Sequence, residues 1–418
     1  MRRVVGNYCE TFVNSDRLAQ SVESLAQIGQ IPQGGVRRIA YSPEDIQARN
    51  LVQQWMIEAG MSVRIDTTGN IIGTYPGTFP QAPALATGSH IDTVPNGGRY
   101  DGAFGVLAGL EVVRVLNEQQ MRLAHPLEVI VFTDEEGSMI GSKAMSGKVN
   151  NDAAYYRRPD GTNIQTCLER VGGNWDRIEQ SRRNSEDMAA FVELHVEQGP
   201  ILESLGKQIG VVEGIVGQRR YIITVKGSPS HAGSTPMYMR QDALVAASGV
   251  VLAVNRLANT PGQQVATVGR MQVSPNAANV IPGLVEMSLD IRDLSSQHID
   301  NLMEQLRLNI EAIAADTQTQ IELQPSLHNQ PALAEQNIQQ TIAQVCEDLG
   351  LSYTHLPSRA SHDAQEIANF TDMGMIFVPS QAGVSHAETE YTSPEQCTQG
   401  ANVLLHTLLR LDQHYRSH

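Results

Sequence analysis

Two apolar segments with a helical segment between them constrain the fold of this 418-residue chain more than any other feature. Segments 84–87 and 127–132 have the apolar composition of buried strands, and 104–116 has helical periodicity. A strand–helix–strand unit places its two strands in parallel. We therefore expect an α/β fold with a mainly parallel sheet sandwiched by helices. A chain of this length can bury a core for two domains.

The pattern changes near residue 221, where short strands and two helices follow in the order βαββαβ. The predicted strands are 221–225, 265–273, 284–291 and 321–323, and the predicted helices are 241–257 and 299–314. This order is typical of a ferredoxin-like α+β module. Because strands and helices alternate again afterwards, the first domain is predicted to be split. Its expected parts are 1–213 and 328–418, with 214–327 as the inserted domain.

Composition excludes several classes of function. The net charge of −15 argues against a general binder of nucleic acid or anionic membranes, although it leaves room for a local basic pocket. No apolar run approaches the length of a membrane span, and residues 1–8 are too short and polar for a signal peptide. No paired spacing relates the four cysteines, which are Cys9, Cys167, Cys346 and Cys397. We therefore expect reduced thiols and a cytoplasmic location.

Five scattered segments each carry one strong candidate for a metal ligand in a polar or glycine-rich setting. The candidates are His90, Asp101, Glu136, His195 and His386. Each residue alone has an ordinary alternative, such as a loop histidine, a helix N-cap or a solvated acidic turn. Together, three imidazoles and two carboxylates are the usual ligands of two divalent ions that share a carboxylate. The set predicts a metal-dependent hydrolase, and zinc, manganese and cobalt all suit it.

Further polar residues accompany the candidate ligands. Glu135 stands beside Glu136, so one carboxylate can bind a metal while its neighbour acts as a general base. Asp92 follows His90 by two residues and can accept the second ring proton of that histidine. In the predicted insert, Arg292 ends a strand. It is either a surface ion-pair partner or a bidentate anchor for a substrate carboxylate.

These motifs resemble the dinuclear-zinc superfamily of aminoacylases, carboxypeptidase G-type peptidases and N-carbamoyl amidohydrolases over nearly the whole chain. The sequence His-Val-Glu-Gln-Gly at 195–199 is similar to the ureido-cleaving branch. That branch contains N-carbamoyl-L-amino-acid hydrolase, β-ureidopropionase and allantoate amidohydrolase. In the peptidase branch, a carboxylate usually fills the position of His195. The resemblance implies a zinc-peptidase-like fold whose insert mediates homodimerisation, so that residues of the insert can act in the partner's active site.

The resemblance also implies a role for each site residue. One metal ion would be held by His90, Asp101 and His195, and the other by Asp101, Glu136 and His386. Catalytic roles fall to Glu135 as general acid/base, Asp92 as the partner of His90, and His231 as the stabiliser of the oxyanion. Substrate contacts fall to Asn279 and Arg292 at the carboxylate, and to Gln198 and Gln218 at the ureido or carboxylate end.

Three functions are compatible with this pattern. The first is cleavage of the ureido group of an N-carbamoyl-L-amino acid or allantoate by a metal-bridging hydroxide, with release of ammonia and carbon dioxide. The second is a dipeptidase or aminoacylase, against which His195 argues, and the third is a non-catalytic binder, against which Glu135 argues. Segment 214–221 resembles allantoate amidohydrolases, whereas 132–137 and 140–145 are more similar to N-carbamoyl-L-amino-acid hydrolases. The loop after Gly137 is shorter than in many relatives, so the sequence does not decide between these substrates.

Overall fold

The computed structural model describes residues 11–32 and 34–416, which form two compact units. The first unit contains the chain up to Gly214 and again from Leu333 onward, and the second spans Ile215–Ala332. The second unit extends beyond its predicted end at residue 327, because its last strand continues to Asn329. The predictions made for Cys9 and for residues 1–8 lie outside the described residues.

The described residues form strands and helices in the following chain order. The strands are β1 (Ser62–Ile65), β2 (Ile71–Tyr75), β3 (Ala84–His90), β4 (Leu127–Phe132), β5 (Met188–Val196), β6 (Ile209–Ile215), β7 (Gly217–Lys226), β8 (Ser230–His231), β9 (Val265–Ser274), β10 (Val280–Ile281), β11 (Leu284–Asp293), β12 (Gln320–Asn329), β13 (Ala332–Leu333), β14 (Tyr353–Ser358) and β15 (Asp372–Val378). The helices are α1 (Ser15–Ala26), α2 (Pro43–Glu58), α3 (Ala103–Glu118), α4 (Ile140–Met145), α5 (Ile164–Arg170), α6 (Ile201–Leu205), α7 (Ala243–Ala258), α8 (Ser296–Thr317), α9 (Gln336–Asp348), α10 (Asp363–Ile367) and α11 (Pro394–Tyr415).

A largely parallel sheet forms the centre of the first unit, as predicted. The strand order is β1-β2-β4-β3-β5-β15-β6-β13, and β14 also pairs with β6. The four central strands β4, β3, β5 and β15 run parallel to one another. Antiparallel pairs flank them, with β1–β2 and β2–β4 on one side and β15–β6 on the other. Strands β3 and β4 are buried along their whole length, as expected for the centre of a sheet that is covered on both faces.

Helix α3 packs closely on the centre of this sheet. Two glycines allow the approach, because a Cβ on Gly105 would lie 2.2 Å from the carbonyl oxygen of Leu194. A Cβ on Gly109 would lie 2.8 Å from Thr87 Cγ2. The helix begins without a side-chain cap, after Gly102 with φ of 62°. This packing holds the loop before α3 next to the carboxyl ends of β3 and β5.

The second unit has the βαββαβ order and an antiparallel sheet. Its sheet order is β12-β7-β11-β9, and α7 and α8 pack on it around an apolar core. The short strands β8 and β10 pair separately, with His231 opposite Val280. The part that this unit plays in dimerisation stays a prediction. Among the described residues, no helix is both long and apolar enough to cross a membrane.

Candidate metal centre

The ends of the central strands bring the predicted ligands of the first unit together. His90 is the last residue of β3, and His195 lies one residue before the end of β5. Glu136 follows β4, whereas Asp101 precedes α3 and His386 lies in the loop after β15. In open α/β sheets, ligands bind at the carboxyl ends of the strands. The predicted residues therefore meet where such a fold builds its sites.

Asp101 lies between the three histidines and offers one carboxylate oxygen to each side. Its Oδ1 is 3.4 Å from His90 Nε2 and 3.3 Å from His195 Nε2. Its Oδ2 is 3.3 Å from His386 Nε2, which is also 3.4 Å from Glu136 Oε2. These five residues form two candidate ligand groups that share Asp101. The two groups are the two sets that the resemblance implies.

The hydrogen bonds of the two buried histidines leave their Nε2 atoms available to a metal. His90 Nδ1 lies 2.9 Å from the carbonyl oxygen of Asp92, and His195 Nδ1 lies 2.9 Å from that of Val196. A carbonyl oxygen only accepts, so Nδ1 donates in both cases. The Gly102 N–H donates to His195 Nε2 at 3.0 Å, so this nitrogen carries no proton, and a metal ion bound there would replace this contact. Unprotonated imidazole nitrogens that face a buried carboxylate fit a divalent cation.

Charge accumulates strongly in this centre. Burial opposes the charge of Asp101, but its contacts with His195, His386 and His90 hold its pKa well below the usual value. The contact with Asp101 raises the pKa of His386 to about 9. Burial raises the pKa of Glu136, and the charge of Asp101 adds to this effect. Carboxylates packed this closely need cations for compensation.

Glu135 lies beside the candidate ligands, where a general base is expected. Its Oε2 is 3.5 Å from His90 Nε2, and its side chain is buried. Burial raises the pKa of Glu135 well above its usual value, and the neighbouring carboxylates of Asp363 and Glu136 act in the same direction. A carboxylate with a raised pKa can both accept and return a proton near neutral pH.

Asp92 has a different arrangement from the predicted one. Its backbone carbonyl, rather than its carboxylate, makes the short contact with His90 Nδ1, and the carboxylate Oδ1 lies 3.8 Å away. The carboxylate instead accepts from the backbone N–H groups of Glu135 at 3.3 Å and Glu136 at 3.2 Å. The difference arises because the buried carboxylate of Asp92 is satisfied by these two N–H groups. Asp92 thus fixes the backbone that carries Glu135 and Glu136.

Gln198 contacts the Asp101 carboxylate, whereas the prediction gave it only a contact with the substrate. Its Nε2 donates to Asp101 Oδ2 at 2.8 Å, and its buried Oε1 has no hydrogen-bond partner among the described residues. Its backbone φ is 59°, and the nearby Asp134 and His386 also have positive φ values of 59° and 53°. Such backbone strain persists where surrounding structure enforces it, commonly at functional sites.

The second unit, taken by itself, contains two groups of predicted site residues. His231 Nδ1 accepts from the N–H groups of Gly233 at 3.0 Å and Ser234 at 3.2 Å, so Nε2 carries the proton of the neutral ring. The carbonyl oxygen of Asn279 accepts from Ala232 N–H at 3.0 Å, which places Asn279 beside His231.

The other group of the second unit is built around Asp290. Gln218 Nε2 donates to Asp290 Oδ2 at 2.5 Å, and Arg292 Nε donates to Oδ1 at 2.9 Å. Gln218 and Arg292 are direct neighbours on the paired strands β7 and β11. Arg292 therefore has the ion pair that its ordinary interpretation predicts, and any role toward a substrate stays a prediction.

Comparison with known proteins assigns the chain to a family. The sequence profile of the peptidase family M20/M25/M40 matches residues 86–410. The chain belongs to this family. It is 39% identical over 406 residues to an N-carbamoyl-L-amino acid amidohydrolase of Geobacillus stearothermophilus, with 96% of this chain and 99% of that protein covered. It is 36% identical over 397 residues to an allantoate amidohydrolase of Bacillus subtilis, with 93% and 96% covered.

A solved structure agrees with this assignment. An amidase of the hydantoinase/carbamoylase family from Burkholderia multivorans superposes with a TM-score of 0.90 at 39% identity, covering 96% of this chain and 98% of that one. The M20/M25/M40 family and its carbamoyl-cleaving relatives confirm the resemblance found in the sequence.

The sequence did not reveal two residues that support the centre of this M20/M25/M40 member. Glu390 is buried, and its Oε1 accepts from the N–H groups of Tyr100 and Asp101 at 3.0 Å each. Ser385 Oγ lies 3.0 Å from Asp101 Oδ2 and 3.1 Å from Glu390 Oε2. No local pattern identifies Glu390, because it contacts residues almost 290 positions away. The only sequence feature that could have pointed to Ser385 is its position next to His386.

A third candidate ligand group shares His195 with Glu193 and His362. The hydrogen bonds around it argue against a metal there. Glu193 accepts from Ser89 Oγ at 2.7 Å and from Ala364 N–H at 3.0 Å, and His362 Nε2 contacts Ser358 Oγ at 2.9 Å. Because His195 Nδ1 is used by a backbone carbonyl and Nε2 faces Asp101, the two groups that share Asp101 fit a metal better.

Proposed function

We propose that this protein is a metal-dependent amidohydrolase that cleaves the ureido group of an N-carbamoyl-L-amino acid or allantoate, releasing ammonia and carbon dioxide. The observation that carries the proposal is the placement of Asp101 between three histidines, with Glu135 beside them. Relatives named for carbamoyl and allantoate cleavage, each covered over more than nine tenths of its length, support it.

The five candidate ligands would hold two divalent ions. His90, Asp101 and His195 would bind one ion, and Asp101, Glu136 and His386 the other. When bound, such ions polarise a carbonyl group and lower the pKa of water. Zinc, manganese and cobalt all match this mixed imidazole and carboxylate set. Gln198 holds Asp101 from the side by its Nε2 amide, and its unpartnered Oε1 can accept from a ureido N–H.

Glu135 would act as the general acid/base. Its buried carboxylate can take a proton from the attacking water and return it to the leaving nitrogen, since its pKa is raised. Asp92 keeps the Glu135 backbone in place through its two hydrogen bonds to the 135–136 turn. Glu135 alone can therefore carry the proton from the water to the leaving nitrogen.

The second unit would supply the groups that bind the substrate. His231, protonated at Nε2, can donate a hydrogen bond to the developing oxyanion. Arg292 and Asn279 would hold the substrate carboxylate, and Gln218 would contact its polar end. Dimerisation through this unit and a cytoplasmic location also belong to the proposal, the latter because the described cysteines Cys167, Cys346 and Cys397 are free.

A substrate panel tests the proposed function. The apo protein is loaded with Mn²⁺ or Zn²⁺, and ammonia release is measured on allantoate, several N-carbamoyl-L-amino acids and N-carbamoyl-β-alanine. Dipeptides and N-acetyl amino acids form the control panel. We expect ammonia only from ureido substrates, and a loss of about 10²–10⁴ in rate for Glu135→Gln with unchanged metal content. Cleavage of dipeptides without ammonia release from any ureide would contradict the proposal.

A further inference from the structure

A cavity of about 600 Å³ opens beside Glu135 within the first unit. Five segments line it: residues 39–40 before α2, the loop after β3, the loop after β4, the residue Lys143 of α4, and the stretch 155–159. Glu135 and Glu136 belong to its lining, so the cavity adjoins the candidate metal centre. Its size is typical of a site for a small molecule. The proposed chemistry uses only the end of this cavity that Glu135 and Glu136 form.

Three cationic side chains line the cavity, and only one of them is neutralised. Arg158 forms an ion pair with Asp134, with 2.7 Å between NH1 and Oδ1, and its guanidinium lies over the Tyr41 ring at 5.3 Å. Within residues 11–32 and 34–416, the ammonium group of Lys143 donates only to the backbone carbonyl of Ser138, at 2.7 Å. In the part of the chain that the structure describes, neither Lys143 nor Arg157 has a carboxylate within ion-pair distance.

The two unpaired cations differ in their need for a partner. Arg157 is exposed, so water solvates its charge. Lys143 is half-buried, and a backbone carbonyl satisfies one of its three N–H groups without neutralising its charge. Charges withdrawn from water are normally paired. An anion that enters the cavity would meet both cations while its reacting end lies near Glu135.

We propose that this cavity selects substrates with a second carboxylate, namely N-carbamoyl derivatives of acidic amino acids. Lys143 and Arg157 would bind the side-chain carboxylate, and the apolar residues Ile39, Val94 and Met139 would contact the methylene groups. The inference rests on the proposed function, in which the other carboxylate of the substrate is held by the second unit. It names acidic side chains as the preferred class among the possible ureido substrates.

The test compares two ligands of nearly the same shape, of which only one has a negatively charged side chain. N-carbamoyl-L-glutamate and N-carbamoyl-L-glutamine are titrated calorimetrically into the metal-loaded Glu135→Gln variant, and kcat/KM for both is measured on the otherwise unchanged enzyme. We expect glutamate to bind at least about tenfold tighter, which corresponds to about 1.4 kcal/mol. Lys143→Met and Arg157→Met should each reduce this preference several-fold and leave the glutamine derivative unaffected. Arg170→Met, which removes an exposed arginine outside the cavity, is the control.

Each outcome separates this inference from the proposed function. The inference is overturned if the protein with Lys143 and Arg157 intact binds the two ligands equally. This comparison does not depend on whether the cavity variants fold. An equal loss for both ligands in Lys143→Met also overturns it, because the cavity would then hold the carboxylate that all these substrates share. A preference for the glutamate derivative in binding, without ammonia release from any ureido substrate of the panel, supports the inference and contradicts the proposed function.

Discussion

Replacing Glu390 by alanine should weaken both the fold and the metal centre, because this buried carboxylate holds Asp101 in place. Its Oε1 accepts two backbone N–H groups, those of Tyr100 and Asp101, at 3.0 Å each. Its Oε2 accepts from Ser385 Oγ, which also contacts Asp101. Gly98 packs against the same side chain, since a Cβ there would lie 2.3 Å from Glu390 Oε1. Alanine removes all three acceptor contacts at once.

The expected loss follows from the buried donors that remain. Each unpaired buried N–H group costs about 1–3 kcal/mol, so the two backbone groups together give roughly 2–6 kcal/mol. Water that enters the space left by the side chain reduces this cost, and we expect a loss of about 3 kcal/mol in the free energy of unfolding. Substitution of a residue that holds a metal ligand in place also typically lowers the metal affinity by about 10–100-fold. Glu390→Gln keeps Oε1 as an acceptor, so its loss should be much smaller.

Two measurements check this prediction. Urea unfolding gives the free-energy difference, and competition with a chelator gives the affinity for Zn²⁺ or Mn²⁺. Glu388→Ala is the matched control, because Glu388 lies two residues earlier and is exposed. If Glu390→Ala matched that control in both measurements, Asp101 would not depend on Glu390 and our interpretation of the loop would be wrong.

Three further substitutions test other parts of the centre and of the second unit. His195→Ala should lose at least one metal ion per chain by mass spectrometry of the metals, because its Nε2 faces Asp101, and full metal content would remove His195 from the site. Arg292→Lys should lower kcat/KM on carboxylate substrates about tenfold or more, since lysine lacks the guanidinium group that can bind a carboxylate through two N–H groups. The melting temperature should change little. An unchanged kcat/KM would show that Arg292 serves only its ion pair with Asp290. Gly137→Ala should destabilise the protein by about 1–3 kcal/mol in urea unfolding, because the new Cβ would lie 2.4 Å from Asp134 Oδ1, and wild-type stability would show that the 134–139 loop adapts freely.

The sequence predicted the elements whose signal is local and strong. The helix expected at 104–116 is Ala103–Glu118, and the strand expected at 265–273 is Val265–Ser274. The strand at 84–87 continues to His90, because polar Ser89 and His90 are buried on contact with partners that local periodicity does not include. The five candidate ligands, chosen by residue type and local setting, are residues that the structure brings together in two groups.

The remaining features depend on contacts between distant residues. The antiparallel strand β6 pairs with β15 although about 165 residues separate them, and no pattern in either segment indicates that partner. Glu390 reaches Asp101 across 289 positions. The carbonyl of Asp92, rather than its carboxylate, contacts His90, because the carboxylate accepts from the N–H groups of Glu135 and Glu136, which lie 43 and 44 positions away. Local sequence therefore identified the candidate ligands that the structure brings together better than the residues that hold them.

The proposed function depends on two metal ions that share Asp101, and anomalous X-ray diffraction from crystals of the metal-loaded protein tests this arrangement most directly. Data collected on both sides of the zinc or manganese absorption edge locate each bound ion. We expect two peaks per chain on either side of the Asp101 carboxylate, one beside His90 and His195 and the other beside Glu136 and His386. A single peak, or a peak coordinated by Glu193, would contradict the account.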